Sequence, residues 1–258
     1  MCELFGFSGR APRDLAPELR IFFSHGAQNP NGWGMAQRTA GVFRLETEAA
    51  PSHESTYLAQ LLQNSVKSAL LLAHIRKATI GDIRPENCHP FYGQDSSGRS
   101  WMLIHNGTVF SGLSAGGFRD RLRGTTDSEL LFYYLLERQN AAIVQKGAPL
   151  TAQERFLVTE ALIVPMSRRN KLNLIITDGE LLYIHMNMRG TLHSLSLPEG
   201  TLFSTLPLTD DAWEAVPLTR LIAYENGVQV LEGQTHGNEY IPGIEQVQDH
   251  TYFVIGGG

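Results

Sequence analysis

A cysteine stands second in this chain, in Met-Cys-Glu-Leu-Phe-Gly. Once Met1 is trimmed, as is usual before a small second residue, Cys2 carries a thiol and a free α-amine on one Cα. That is a nucleophile and a base within a single residue. A free α-amine has a reference pKa of about 7.7–8.0, close to working pH, whereas a lysine side chain needs a large shift to serve as well. Further stretches place polar residues at the end of an apolar run or the start of a helical one, where distant parts of a chain converge on a cleft. They are Ala-His-Ile-Arg-Lys-Ala-Thr-Ile-Gly at 73–81, Asn-Cys-His-Pro-Phe at 87–91 with Ile-His-Asn-Gly at 104–107, and Gly-Thr-Thr-Asp-Ser-Glu at 124–129.

Taken singly, each stretch also has a structural reading. A lone cysteine packs as a small apolar residue. Asn106-Gly107 after an apolar run is a strong tight-turn signal. Asp127 at a helix start meets the positive end of the helix dipole, and Arg76 can pair with a surface acid. His74, His89 and His105 lack the His-x-x-x-His or Cys-x-x-Cys spacing of a zinc site, so no metal is assigned and they read as hydrogen-bonded structural groups. Cys88 adjoins His89, but neighbours on an extended segment point opposite ways, so Cys88 reads as structural too.

Composition narrows the classes. The chain has 258 residues, a formal net charge of -5, 42% hydrophobic and 18% charged residues. That supports a sizeable core and excludes the basic excess of a nucleic-acid binder. Two cysteines exclude a disulfide framework and suit a reducing compartment. No apolar run approaches the roughly 18 residues of a membrane span, and no basic-then-apolar leader opens the chain. The expectation is a cytoplasmic protein without membrane or nucleic-acid partners.

The elements that must position these residues are short strands and a few helices. Strands are expected at Cys2–Gly9, at 68–76, apolar on both sides and therefore buried, and at 101–107, ending in a turn at Asn106-Gly107. Helices are expected at 16–27, 55–63, 125–139 and 151–167, the last two opening on the capping-box spacings Thr126/Glu129 and Thr151/Glu154. Hairpins are read at 32–46, at 172–186 around Asp178-Gly179, and at Asn226-Gly227. Strands continue through 191–197, 201–208 and His250–Gly256. Antiparallel strands with separate helices give an α+β fold.

With these motifs in this order, the chain resembles the class II glutamine amidotransferases, a branch of the N-terminal-nucleophile hydrolases, and especially their stand-alone type beginning Met-Cys-Glu-Leu. The resemblance spans position 2 to about 185. It implies a four-layer αββα sandwich of two antiparallel sheets, one domain over 2–258 with the strands from about 186 completing the sheets. It implies that Cys2 attacks the side-chain amide carbon of glutamine or a γ-glutamyl compound, with its α-amine as base. Asn106 and the Gly107 N–H would form the oxyanion hole, Arg76 would hold the substrate α-carboxylate and Asp127 its α-ammonium. Thr79 and Gly34 would line the pocket. No cofactor is called for.

Two departures stand out. Asn31 occupies the place of the family's usual aspartate before Gly-Trp-Gly, and Lys77 follows Arg76. After residue 185 no Gly-rich phosphate loop appears; Val-Ile-Gly-Gly-Gly at 254–258 ends the chain with no helix after it, and reads as a disordered tail or closing stub. Ammonia is therefore expected to pass to a separate synthase subunit, or a γ-glutamyl amide is simply hydrolysed. The alternatives are an N-terminal-cysteine amidase of the bile-salt or penicillin-acylase kind, and a non-catalytic glutamine sensor on the same fold.

Overall fold

Residues 2–243 are described by the computed structural model of the chain. Their elements run β1 (Glu3–Asp14), α1 (Ala16–Ser24), β2 (Trp33–Thr39), β3 (Val42–Glu48), α2 (Thr56–Gln63), β4 (Lys67–Ile75), β5 (Phe91–Gln94) and β6 (Ser100–Thr108). Then come α3 (Asp127–Lys146), α4 (Ala152–Met166), β7 (Lys171–Thr177), β8 (Leu182–Met186), β9 (His193–Leu197), β10 (Gly200–Ser204), β11 (Glu214–Ala215), β12 (Arg220–Glu225) and β13 (Val228–Glu232). The strands form two sheets, in the orders β11-β9-β10-β1-β4-β2-β3 and β13-β12-β8-β7-β6-β5. Every pairing is antiparallel.

Alternation along the strands explains the layers, because successive side chains leave a strand on opposite faces. From β1 and β4, Leu4, Leu70 and Leu72 turn inward to meet Met102, Ile104, Ile175, Leu182 and Ile184 of the other sheet. Their neighbours Phe5, Phe7, Leu71, Ala73 and Ile75 turn outward and are buried by Leu19 and Phe22 of α1 and Leu58 and Leu62 of α2. On the second sheet Trp101, Leu103, Leu174 and Ile176 turn outward under Leu131 and Leu135 of α3 and Phe156 and Ile163 of α4. The result is the α+β sandwich of four layers, αββα, that the resemblance implies. After residue 186, β9 and β10 extend the first sheet from β1, and β12 and β13 extend the second from β8. No helix among the described residues is long and apolar enough to cross a membrane.

Several elements differ from their expected form. β6 does not stop at Asn106-Gly107; it continues to Thr108, paired as Asn106↔Asn173, Gly107↔Leu172 and Thr108↔Lys171. Gly107 is absent from the residues at positive φ, so no tight turn forms there. Pairing with β7 overrides the local signal. Asn226-Gly227, at φ 51° and 79°, is such a turn. β5 was not expected as a strand. α1 stops at Ser24 and a short 3-10 turn covers His25–Ala27, whereas α3 runs on to Lys146, where Gly147 at φ 71° ends it. Thr151 and Glu154 complete their capping box. Thr126 accepts from the Glu129 N–H, but the Glu129 carboxylate turns instead to the N–H groups of Arg123 and Gly124. The expected strand at His250–Gly256 and the glycine tail lie outside the described residues.

Buried histidines punctuate this interior. His74 donates from Nε2 to the His105 carbonyl (3.2 Å), and His105 bonds Ser128 Oγ and the Lys171 carbonyl (both 2.9 Å). His89 departs from the expected pattern: it packs between His74 and Phe91, and neither ring nitrogen has a hydrogen-bond partner among the described residues. His185, on the outer face of β8, donates from Nδ1 to the Leu172 carbonyl (2.7 Å). No group of three or more metal-binding side chains occurs among the described residues.

Burial pushes His74 and His185 down to about 3, and holds His89 and His105 below the usual histidine range. In the unfolded chain each ring takes up a proton near pH 6.5, while the folded protein refuses it. The unfolded state then binds more protons, so stability falls as pH drops below about 6.5, by at most about 1.4 kcal/mol per pH unit for each ring. Urea-unfolding free energies measured from pH 7 to 5 are expected to decline on acidification, and His74→Gln to flatten that slope. An unchanged slope in the variant would contradict the assignment.

Candidate active site

The inward-facing positions of both sheets change from apolar to polar at one end of the sandwich. On the first sheet, β1 and β4 pair as Leu4↔His74 and Glu3↔Ile75. One step further brings Cys2 opposite Arg76, each on the face that carries Leu4 and His74. On the second sheet Asn106 follows Ile104 on the inward face of β6, and Lys171 lies two positions from Asn173 on β7. Cys2, Arg76, Asn106 and Lys171 are therefore collected by strand register, although they are far apart in sequence.

Cys2 is half-buried. Its Sγ lies 3.3 Å from both the carbonyl and the N–H of Lys77. Burial pushes the thiol up from its ordinary value, opposed by the Lys77 N–H and by the positive charges of Arg76 and Lys171. Lys171 is buried, 6% exposed, and burial lowers its ammonium to about 8 while Cys2 acts to raise it. At pH 7 it is mainly cationic. Its Nζ donates to Asn106 Oδ1 at 3.1 Å. Asn106 is 1% exposed, and its Nδ2 has no hydrogen-bond partner among the described residues.

Gly107 adds a second donor. The Leu172 N–H bonds Asn187 Oδ1 and the Leu172 carbonyl accepts from His185, so Leu172 spends its backbone groups on the β8 side. The Gly107–Leu172 pair is then a non-hydrogen-bonded one, and the Gly107 N–H points away from β7. β5 gives no partner there, because its ladder with β6 ends at Phe91↔Leu103. Packing of the strand itself requires glycine at 107. A Cβ at 107 would lie 1.9 Å from the Lys171 carbonyl and 2.3 Å from His105 Nε2.

Arg76 is buried, 3% exposed. Its guanidinium donates to the carbonyls of Asp82 (2.8 Å), Ile80 (2.9 Å) and Gly81 (3.1 Å). In this structure it organises the loop after β4 through those bonds. The same loop is tied to the segment before α3 by Asn87, whose Nδ2 donates to the Asp82 carbonyl (2.9 Å) and Thr125 Oγ1 (3.1 Å), while Oδ1 accepts from the Thr125 N–H (2.8 Å). Thr79 stands exposed on this loop, and Lys77 is exposed at its start. Asp127, half-buried at the first turn of α3, accepts from the Val109 N–H at 2.6 Å. Gly34 faces the His89 backbone; a Cβ there would sit 1.9 Å from that carbonyl. Asn31 Oδ1 accepts from the Ala78 N–H at 2.9 Å, a bond that an aspartate would also make, so the departure at 31 keeps this acceptor and loses only a charge.

Two residues escaped the sequence reading. Lys171 opens a strand buried at all seven positions, and a lysine at the head of such an apolar run was the available signal. Asn87 stood within a quoted stretch but had no role there. Cys88 is buried, its Sγ directed at the Glu48 and Arg84 carbonyls, and burial pushes its thiol up to about 11. It is a packing residue.

A sequence profile of the class-II glutamine amidotransferases matches residues 1–198. The putative glutamine amidotransferase YafJ of Escherichia coli (strain K12) is 26% identical over 250 residues, covering 91% of this chain and 96% of that protein. The γ-glutamyl-hercynylcysteine sulfoxide hydrolase of Mycobacterium tuberculosis is 26% identical over 204 residues, 77% of this chain and 76% of that one. Among solved structures, a predicted glutamine amidotransferase from Pseudomonas aeruginosa superposes with a TM-score of 0.65 at 21% identity, covering 89% of this chain and 100% of that one. The glutamine phosphoribosylpyrophosphate amidotransferase of B. subtilis gives 0.63 at 12% identity, over 91% of this chain and 49% of that one. The last two likenesses concern the fold.

Asn87→Ala removes three hydrogen bonds from a fully buried side chain. It is expected to lower stability by about 1–3 kcal/mol and to expose the loops around 79–88 and 119–126 to limited proteolysis. Cleavage at parental rates would show that Asn87 does not hold these loops.

Proposed function

We propose that this chain, which belongs to the class II glutamine amidotransferase family, hydrolyses the side-chain amide of glutamine or of a γ-glutamyl compound through a thioester on Cys2. The observation that carries this reading is Asn106: a buried amide N–H₂ without a partner among the described residues, at the same end of the sandwich as a free cysteine. A buried donor left unpaired costs stability, and a tetrahedral oxyanion is a group that would reward it.

Removal of Met1 frees the Cys2 α-amine, which takes the thiol proton. The thiolate forms a C–S bond to the amide carbon, and the carbonyl electron pair moves to oxygen, stabilised by Asn106 Nδ2–H and the Gly107 N–H. Collapse breaks the C–N bond, the α-ammonium returns its proton to the leaving nitrogen, and ammonia or an amine departs. Water then adds to the γ-glutamyl thioester with the α-amine as base, the C–S bond breaks, and glutamate leaves.

Arg76 and Asp127 would read the amino-acid end of the substrate, Arg76 through guanidinium N–H groups beyond those held by the loop carbonyls. Thr79 and Gly34 would contribute walls. The γ-glutamyl hydrolase among the relatives supports substrates with a substituent on the amide nitrogen. With glutamine itself, the ammonia would be released or passed to a separate synthase subunit. A reducing cytoplasm would keep the Cys2 thiol free.

Intact mass spectrometry before and after treatment with a glutamine-like diazoketone tests this reading. The expected result is a starting mass short by one methionine and a single adduct mapped to Cys2. Cys2→Ala should abolish both adduct and glutaminase turnover, and Asn106→Ala should lower kcat by roughly 10²–10³-fold. A correctly trimmed protein that takes no adduct and releases neither ammonia nor amine would overturn it.

A further inference from the structure

We infer that Lys171 is a positioning residue for the reaction: by bonding Asn106 Oδ1 it fixes which end of the Asn106 amide faces the thiol. This rests on the reading of Asn106 as an oxyanion donor. The two ends of a carboxamide are nearly alike in size and opposite in function, since oxygen accepts and nitrogen donates. Packing alone therefore distinguishes them poorly, and only a partner with fixed polarity sets the orientation. An ammonium is such a partner, because it carries three donors and no acceptor.

Lys171 Nζ stands 3.1 Å from Asn106 Oδ1. A 180° rotation of the amide would bring N–H₂ against an ammonium and turn the oxygen, an acceptor, toward the site of a developing oxyanion. Lys171 excludes that state. No other described side chain bonds the Asn106 amide: Oδ1 bonds Lys171, and Nδ2 has no hydrogen-bond partner among the described residues.

The placement is also costly in a way that packing does not explain. Lys171 is 6% exposed and lies on the inward face of β7 with Asn173 and Ile175. Burying an ammonium there is unfavourable compared with an apolar side chain of the same length. The link between β6 and β7 is direct, because Thr108↔Lys171 and Asn106↔Asn173 are register partners, which puts the lysine and the asparagine on one face, two positions apart along the ladder.

The test uses the trimmed full-length protein and the variants Lys171→Met, Lys171→Arg and Lys171→Met/Asn106→Ala. Two probes are compared, L-glutamate and glutamate γ-semialdehyde. As the Cys2 thiol passes its proton to the α-amine, the sulfur forms a C–S bond to the aldehyde carbon and the carbonyl π pair moves to oxygen, so the aldehyde needs the oxyanion donor; L-glutamate does not. Lys171→Met is expected to lower kcat by about 10²-fold or more, as loss of an oxyanion donor does, and to weaken inhibition by the aldehyde to a similar degree. KM and inhibition by L-glutamate should hold within about two-fold, because ground-state contacts are untouched. Lys171→Arg, also donor-only, should restore most of the loss. The double variant should be no slower than Asn106→Ala alone, since the two residues act as one unit.

A Lys171→Met protein with parental kcat and aldehyde affinity, or a double variant in which the losses multiply, would overturn the inference. Should Lys171→Met not fold, Lys171→Gln carries the test: its amide accepts as readily as it donates, so kcat should fall in the same way. A parent protein inert to glutamine and to the aldehyde alike would overturn the reading of the site, and this inference with it. That outcome is distinguishable because the defect would lie in the parent and not in the variant.

Discussion

A slip of one residue between β6 and β7 would turn Asn106 and Lys171 to opposite faces of the second sheet, and the same slip between β1 and β4 would separate Cys2 from Arg76. Register on these two strand pairs is the constraint on which the candidate site depends. It is held by the apolar residues further along the same strands. Leu4 and Leu72 on one sheet and Ile104 and Ile175 on the other all belong to the inter-sheet core, and each would be driven into the helical layers by a shift of one. The core therefore does more than stabilise the sandwich. Because side chains alternate with a period of two, burying the middle of each strand determines which residues face the polar end.

At that end Arg76, Asp127 and Asn87 are tied to backbone or to side chains, as burial demands. Arg76 spends guanidinium donors on the carbonyls of Ile80, Gly81 and Asp82, Asp127 holds the Val109 N–H, and Asn87 bridges the two loops. Such a network preorganises walls before any substrate arrives, which is the condition for electrostatic stabilisation without reorganisation at the moment of reaction. Asn106 Nδ2 stands out against this background because its own oxygen is engaged and its nitrogen is not. The contrast within one side chain gives the site its polarity.

The candidate residues Cys2, Arg76, Asn106, Gly107 and Asp127 could be singled out in the sequence because each lies inside a short contiguous stretch whose residue order can be read directly. The sandwich was legible because strands such as 68–76 are apolar on both sides and so need a layer on each. What escaped was produced by pairing across long separations. Lys171 meets Asn106 over 65 positions, and nothing local marks that meeting. Asn106-Gly107 misled for a related reason: the dipeptide favours a turn in isolation, and only the β7 partner, with a carbonyl packed where a Cβ would go, keeps it extended. His89 misled because a histidine after a strand suggested hydrogen bonding, whereas its ring is enclosed by His74 and Phe91.

In the proposed reaction, specificity for the leaving group would arise away from the atoms that act on the γ-glutamyl half. In the proposed reaction Cys2, Asn106 and Gly107 would meet the amide carbon and its oxygen whether ammonia or a larger amine departs, and would not distinguish the two. The substituent on nitrogen would instead meet the loop carrying Thr79 and the segment before α3, which Arg76 and Asn87 join into one wall. These loops differ from the sheets in a physically useful way. Their backbone is fixed by a few side-chain bonds and not by ladders, so their outward residues can change without disturbing strand register. On the proposed function, a scaffold built like this would keep the acyl chemistry constant in the sheets while the wall selects what leaves.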